Sequence, residues 1–170
     1  VEAILRRGKY LLLDCQSTRG GGWLLLHLGM SGSLRLVPPA TPALQHDHFD
    51  LVFAHTVLRL RDPRRFGALL WHEGGGVEKH PALAGLGIEP LSEDFNGDWL
   101  HAATRHRRMP IKPLLMDGRL VVGIGNIYAA ESLHHAGVSP LRSSDRISRQ
   151  RYCVLADAIR ATLEAAIAAG

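Results

Sequence analysis

Cysteine is nearly missing from these 170 residues: only Cys15 and Cys153 occur, far apart and in no CxxC pattern. By themselves they supply neither a disulfide framework nor a zinc site, and a reduced, cytoplasmic setting is the default expectation. Aromatic residues make up 6% of the chain, and long apolar runs are absent. Runs such as Tyr10–Leu13 and Trp23–Leu26 have the length of a strand, not of a bilayer span, so no membrane partner is expected. No basic-then-apolar segment of the secretory kind opens the chain. Lysine is scarce as well. Of 20 basic residues only Lys9, Lys79 and Lys112 are lysines, and arginine does not give up its proton to act as an amine, so any such task falls on one of these three. An initiator methionine is also lacking. Val1 stands inside what reads as a strand, and the chain is expected to be a fragment of something longer.

What is present suffices for a folded core. The chain is 46% hydrophobic with a mean hydropathy near zero, and its length fits one domain or two small ones. The net charge is +4 and the pI about 9.5. Residues 1–72 carry nine Lys/Arg against five Asp/Glu, and residues 73–100 carry one against six. Residues 101–112 then hold Arg105, Arg107, Arg108 and Lys112 with no acid. Clustered arginine suits a polyanion whose phosphates it neutralises; a solvated face would show the same pattern.

The first half reads as β. Strands are expected over 4–14, 23–29, 33–37, 48–54, 57–61 and 68–72, separated by turns at 19–22 and 29–32 and a Pro-rich loop from Pro38 to Pro42. Phe49, Leu51 and Phe53 alternate against Asp50, as a half-buried strand should. Several short strands at this spacing indicate an antiparallel sandwich or barrel. The second half changes period. Helices are expected over 98–106, 111–116 and 127–136, the last with Asn126 as N-cap and Gly137 as its C′ stop. A final helix starts at the cap Ser148 and carries the apolar stripe Tyr152, Leu155, Ile159, Leu163 and Ile167. The fold class is therefore α+β, with a sandwich part over 1–88 and a helical part over 89–170.

Three motifs carry chemistry. Gly123-Ile-Gly125-Asn126 opens a helix but fits neither the dinucleotide nor the P-loop pattern. It reads either as an anion site made by free helix-terminal amides or as a plain tight turn. Asp62-Pro-Arg-Arg-Phe-Gly67 is bracketed by residues that force a sharp loop, so Arg64, Arg65 and Phe66 should project from its tip. Arginine beside an exposed ring suits a base stack. Gly29-Met-Ser-Gly32 is a second glycine-flanked tip, bearing Met30; methionine otherwise serves as a gap-filler in cores.

Taken in order, Arg7-Gly-Lys-Tyr-Leu-Leu-Leu13, His27-Leu-Gly-Met-Ser-Gly-Ser-Leu34, His46-Asp-His48, Asp62–Gly67, Ile111-Lys-Pro113 with Leu115-Met-Asp117, and Gly123-Ile-Gly-Asn-Ile-Tyr128 resemble bacterial formamidopyrimidine-DNA glycosylase. The resemblance runs over essentially the whole chain. It implies a β-sandwich followed by a helix–two-turn–helix module, and an enzyme that removes oxidised purines from damaged double-stranded DNA and then cleaves the strand as an AP lyase. A glycosylase flips the damaged nucleotide and must fill the hole. The resemblance assigns that filling to Met30, Arg64 and Phe66, with Arg64 addressing the orphaned cytosine. It assigns the elimination step to Lys9, DNA contacts to His46 and Arg107, and phosphate binding to Lys112 and Asn126. It implies a monomer, cytoplasmic and nucleoid-associated through its DNA. The family's nucleophile, an N-terminal proline followed by glutamate, is not the Val1-Glu2 of this chain. The C-terminal four-cysteine zinc module has no counterpart here either, so no cofactor and no metal are expected in this chain, and the piece alone is expected to be inactive. The alternatives are an endonuclease VIII-type glycosylase, which would lack the Met30 turn and the Arg-Arg-Phe loop, and a non-catalytic nucleic-acid binder sharing the helical module, which would have no use for two wedges.

Overall fold

The computed structural model describes residues 1–18 and 20–169, with Ser17 described by its backbone alone. The chain forms two compact units, Val1–His80 and the remainder from Pro81.

In the first unit β1 (Ala3–Arg7), β2 (Tyr10–Ser17), β3 (Gly20–His27) and β7 (Ala68–Glu73) form an antiparallel sheet in the order β1-β2-β3-β7. A second antiparallel sheet, ordered β4-β6-β5, contains β4 (Ser33–Val37), β5 (Asp47–Val52) and β6 (Val57–Arg61). Leu13, Leu24 and Leu26 are buried against Leu11 and Leu69 of their own sheet and Leu34, Phe49, Leu51 and Leu58 of the other, which makes the unit a sandwich. The single strand expected over 4–14 is in fact a hairpin. Gly8, at φ 57°, adopts the left-handed backbone that a two-residue turn needs. The turn expected at 19–22 is also corrected: Gly20, Gly21 and Gly22 belong to β3, while Arg19 lies outside the described residues. A Cβ on Gly22 would lie 2.4 Å from the Trp71 ring, so the ring occupies the space a side chain would take.

Arg59 of β6 is buried and anchors the Pro-rich loop. Its Nε and Nη2 donate to the two carboxylate oxygens of Asp50, each at 2.8 Å, while Nη1 and Nη2 donate to the carbonyls of Pro42 and Thr41 at 2.9 and 3.1 Å. The pairing pulls the Asp50 carboxyl below the usual carboxylate range, chiefly through the hydrogen bond.

The second unit contains α1 (Pro81–Ala84), α2 (Gly97–Thr104), α3 (Ile111–Leu115), α4 (Asn126–His135) and α5 (Arg149–Ala169) around a core that includes Phe95, Leu100, Ile111, Leu114, Leu133, Tyr152, Leu155 and Ile159. The expected stripe on α5 is buried at Tyr152, Leu155 and Ile159 but runs out toward its end, where Ile167 is 67% exposed. Ser148 caps α5 by accepting the Arg151 amide at 3.3 Å. Gly137, at φ 62°, closes α4: its amide donates to the His134 carbonyl and that of Val138 to the Leu133 carbonyl, the paired bonds of a Schellman ending. Asn126 is not the cap of α4. The cap position is Gly125, no side chain caps the helix, and Asn126 is its first residue.

Helix α2 meets α5 through Gly97. A Cβ there would lie 2.3 Å from the Cys153 Cα, 2.5 Å from its amide nitrogen and 2.7 Å from its Sγ, so backbone as well as side chain would have to move. Gly97→Ala is expected to destabilise the chain by about 3 kcal/mol through overpacking. Urea unfolding reads this as a lower midpoint at unchanged slope. Gly85→Ala is the control, since nothing lies within 4 Å of its added carbon.

Among the described residues both cysteines are free, no helix is long and apolar enough to cross a membrane, and no cluster of three His, Cys, Asp or Glu side chains fits a metal ion.

Candidate nucleic-acid interface

Strand register brings the motifs of the first unit to one end of the sandwich. Arg7 pairs with Tyr10, Tyr10 with His27, and His27 with Ala68, and this row is the last of its sheet. Beyond it lie the Gly8–Lys9 turn, the chain leaving β3 and the chain entering β7. In the other sheet the terminal row is Ser33, Arg61 and Asp47. Residues 28–32 and 62–67 are therefore two neighbouring crossings between the sheets, and His46 precedes the third member of that row.

The crossings are bonded to each other. Ser31 Oγ donates to Asp62 Oδ1 at 2.6 Å and accepts the Arg64 amide at 3.3 Å, and the Gly67 amide donates to Asp62 Oδ2 at 2.7 Å. A Cβ on Gly29 would lie 2.5 Å from the Phe66 carbonyl carbon, so the two backbones touch. From this block Met30 projects 73% exposed and Phe66 56% exposed, with the Arg64 guanidinium 4.8 Å from the centre of the Phe66 ring. Arg65 completes the tip in the left-handed region at φ 56°. The structure thus brings Met30, Arg64 and Phe66 together.

His46 sits at the same end with φ 77°, and its carbonyl accepts the Asp62 amide at 3.0 Å. His48 Nε2 donates to the Asp62 carbonyl at 3.0 Å. Lys9 is exposed in the β1–β2 turn. Its neighbour across the sheet end is His27, whose ring packs against Tyr10 at 4.8 Å and whose Nδ1 accepts the Gly29 amide at 3.0 Å. Burial, and after it the Lys9 charge, holds the His27 ring below the usual histidine range. A neutral ring with Nδ1 accepting carries its proton on Nε2. His27, Ser31 and Asp62 stand beside these candidate residues, and the sequence motifs that contain them gave them no role. The available signal was a small polar residue within each glycine-hinged tip.

In the second unit Lys112 lies in the first turn of α3 and lines a cavity of about 300 Å³ with Ala130, Leu133, His134 and the Gly137–Pro140 segment. Asn126 is exposed one turn before Ala130 on α4, and residues four apart share a helix face. Lys112 and Asn126 therefore flank one side of the α3–α4 pair. The first amides of α4 have no intrahelical acceptor and no capping side chain, leaving donors for an anion. Arg107 is exposed between α2 and α3. Its backbone carbonyl accepts Ser144 Oγ, and its charge contributes, after Arg119, to lowering the Asp117 carboxyl.

Comparison with known proteins identifies the family. Residues 1–69 match the formamidopyrimidine-DNA glycosylase N-terminal domain and residues 86–170 the formamidopyrimidine-DNA glycosylase H2TH domain. The formamidopyrimidine-DNA glycosylases of Dechloromonas aromatica and Ralstonia pickettii are 59% and 54% identical over the whole of this chain, which spans 62% and 64% of their lengths. The Lactococcus lactis Fpg bound to abasic-site DNA superposes with a TM-score of 0.88 at 32% identity, over 98% of this chain and 60% of that one. The same enzyme has also been solved with Fapy-dG-containing DNA, again at a TM-score of 0.88. The chain belongs to the formamidopyrimidine-DNA glycosylase family.

Proposed function

We propose that this chain is the DNA-engaging part of a base-excision enzyme that removes oxidised purines from duplex DNA and then opens the strand as an AP lyase. Residues 1–88 would belong to the catalytic domain and 89–170 form the DNA-binding domain. The observation that carries the reading is the pair of bonded crossings at the sandwich end, which hold Met30 and Phe66 exposed where a core would bury them. Large apolar side chains on rigid tips fill a gap in a base stack. The fork of Arg64 suits the acceptor atoms of an unpaired cytosine. The lesion class is supported by similar proteins solved with abasic-site, Fapy-dG and carbocyclic 8-oxo-G DNA. Excision breaks the bond between base and deoxyribose. Lys9, at the same sheet end, serves the elimination that follows. His46 and Arg107 contact the DNA strand, while Lys112 and Asn126 hold phosphates.

Phosphate contact and lesion contact separate experimentally. Lys112→Ala is expected to weaken binding to damaged and undamaged duplex alike, and to flatten the dependence of log K on log salt by about one phosphate's worth. Fluorescence anisotropy across a salt series measures both. A lesion-selective loss at an unchanged salt slope would remove Lys112 from the phosphate site.

A further inference from the structure

We propose that Asp62 is a positioning residue that joins the Met30 and Arg64–Phe66 loops into one preformed wedge. The inference rests on the reading above, that these loops enter the base stack. Asp62 is 2% exposed, yet it touches three separate segments. Its two carboxylate oxygens divide between the crossings, Oδ1 taking the Ser31 hydroxyl and Oδ2 the Gly67 amide. Its amide donates to the His46 carbonyl, and its own carbonyl accepts from the Arg65 amide at 3.2 Å and from His48 Nε2. The Ser31 hydroxyl closes the circuit by accepting the Arg64 amide. Around this centre the backbones are in contact, since a Cβ on Gly67 would lie 2.9 Å from the His27 carbonyl oxygen and one on Gly29 would run into Phe66.

These bonds decide what the wedge costs to use. Two separate flexible tips would have to be ordered at the moment they enter DNA, and that ordering would be subtracted from affinity. With Asp62 in place they are ordered beforehand. The role also explains an acid in a loop read as entering DNA: both oxygens are turned inward and satisfied, and the hydrogen bonds from Ser31 and Gly67 keep the carboxyl ionised, below its ordinary range. Asparagine is a weaker replacement: with its oxygen on the Gly67 amide, its nitrogen faces the Ser31 hydroxyl, which must turn from donor to acceptor, and the carboxylate charge that strengthens both bonds is lost.

The test uses the 170-residue chain and two duplexes, one with a stable abasic-site analogue opposite cytosine and one unmodified, with the ratio of their Kd values as readout. Phe66→Ala sets how much of that ratio the wedge supplies. Asp62→Asn and Ser31→Ala are each expected to lower it by about tenfold, and Ser31→Thr, which keeps the hydroxyl, to restore it. Asp62→Asn combined with Phe66→Ala should lose no more than Phe66→Ala alone, as expected for residues acting through one element. A simple charge effect raises affinity for both duplexes and leaves their ratio unchanged. Amide exchange at Gly67, followed by NMR, should accelerate in Asp62→Asn. If that variant does not fold, Ser31→Ala carries the test, since it leaves the bond to Gly67 intact. A wild-type ratio in Asp62→Asn or Ser31→Ala, beside a lowered one in Phe66→Ala, overturns this proposal alone. No discrimination in the wild-type chain, or none lost in Phe66→Ala, removes the wedge reading and the role of Asp62 with it.

Discussion

Borohydride added to the 170-residue chain and an 8-oxoguanine duplex is expected to trap no covalent protein–DNA adduct. Excision in this family, as the resemblance implies, needs an amine that attacks the sugar carbon and persists as an imine, which borohydride reduces to a stable bond. The resemblance assigns that amine to an N-terminal proline, and position 1 here is valine. Geometry argues the same way. The Glu2 amide donates to the Asp14 carbonyl, and Ala3 pairs with Asp14, at the far end of β1 from the Arg7–Tyr10 row where Lys9, Met30 and Phe66 gather. Arg7 lies six residues on from Val1, about 20 Å at the strand rise. Lys9 is the amine at the right end, but its matched role is in elimination, so weak nicking of a preformed abasic site is the most the chain should do. Gel electrophoresis of the reduced mixture reads the result. A stoichiometric adduct on the oxidised-base duplex would show that Lys9 or another amine forms the imine, and assigning the nucleophile to an N-terminal proline would be wrong.

Local signals made much of the fold legible, and long-range ones account for what was misread. Strands β4 and β6 occupy the ranges their alternation indicates, and Gly137 and Ser148 end and start helices as their residue types suggest, because each answer is decided within a few neighbours. Gly20–Gly22 looked like a turn because three glycines favour one. They are held as strand by pairing with Cys15, Gln16 and Ser17 of β2, and Gly22 also by Glu73 of β7 and the Trp71 ring, some fifty residues along the chain. Asn126 looked like a cap by type, but the chain places Gly125 there and Asn126 inside the helix. The same limit applies at the candidate site. Exposed Met30 and Phe66 could be suspected from glycine-flanked tips, whereas Asp62 could not be tied to Ser31 until register set the two crossings side by side.

Grafted into the Dechloromonas aromatica relative, 62% of whose length it spans, the chain should lose excision selectively when its wedges are cut back. Phe66→Ala, and to a smaller extent Met30→Ala, are expected to slow release of an oxidised purine from fully paired duplex by about 10- to 100-fold, since unstacking a base step costs a few kcal/mol and each 1.4 kcal/mol is a factor of ten. The same variants should be nearly normal when the lesion lies opposite a gap, where the stack is already open and the wedge has nothing to offset. Single-turnover rates on the two substrates give the comparison. Exposure makes the experiment clean: neither side chain belongs to the buried core, so truncation opens no cavity there, and the unfolding midpoint should stay where it was. Arg64→Ala should follow Phe66→Ala in direction, because its guanidinium both packs on that ring and faces the orphaned base in the proposed complex. Equal losses on both substrates, accompanied by a lower midpoint, would mean that Phe66 supports the loop's fold, not the opening of the duplex.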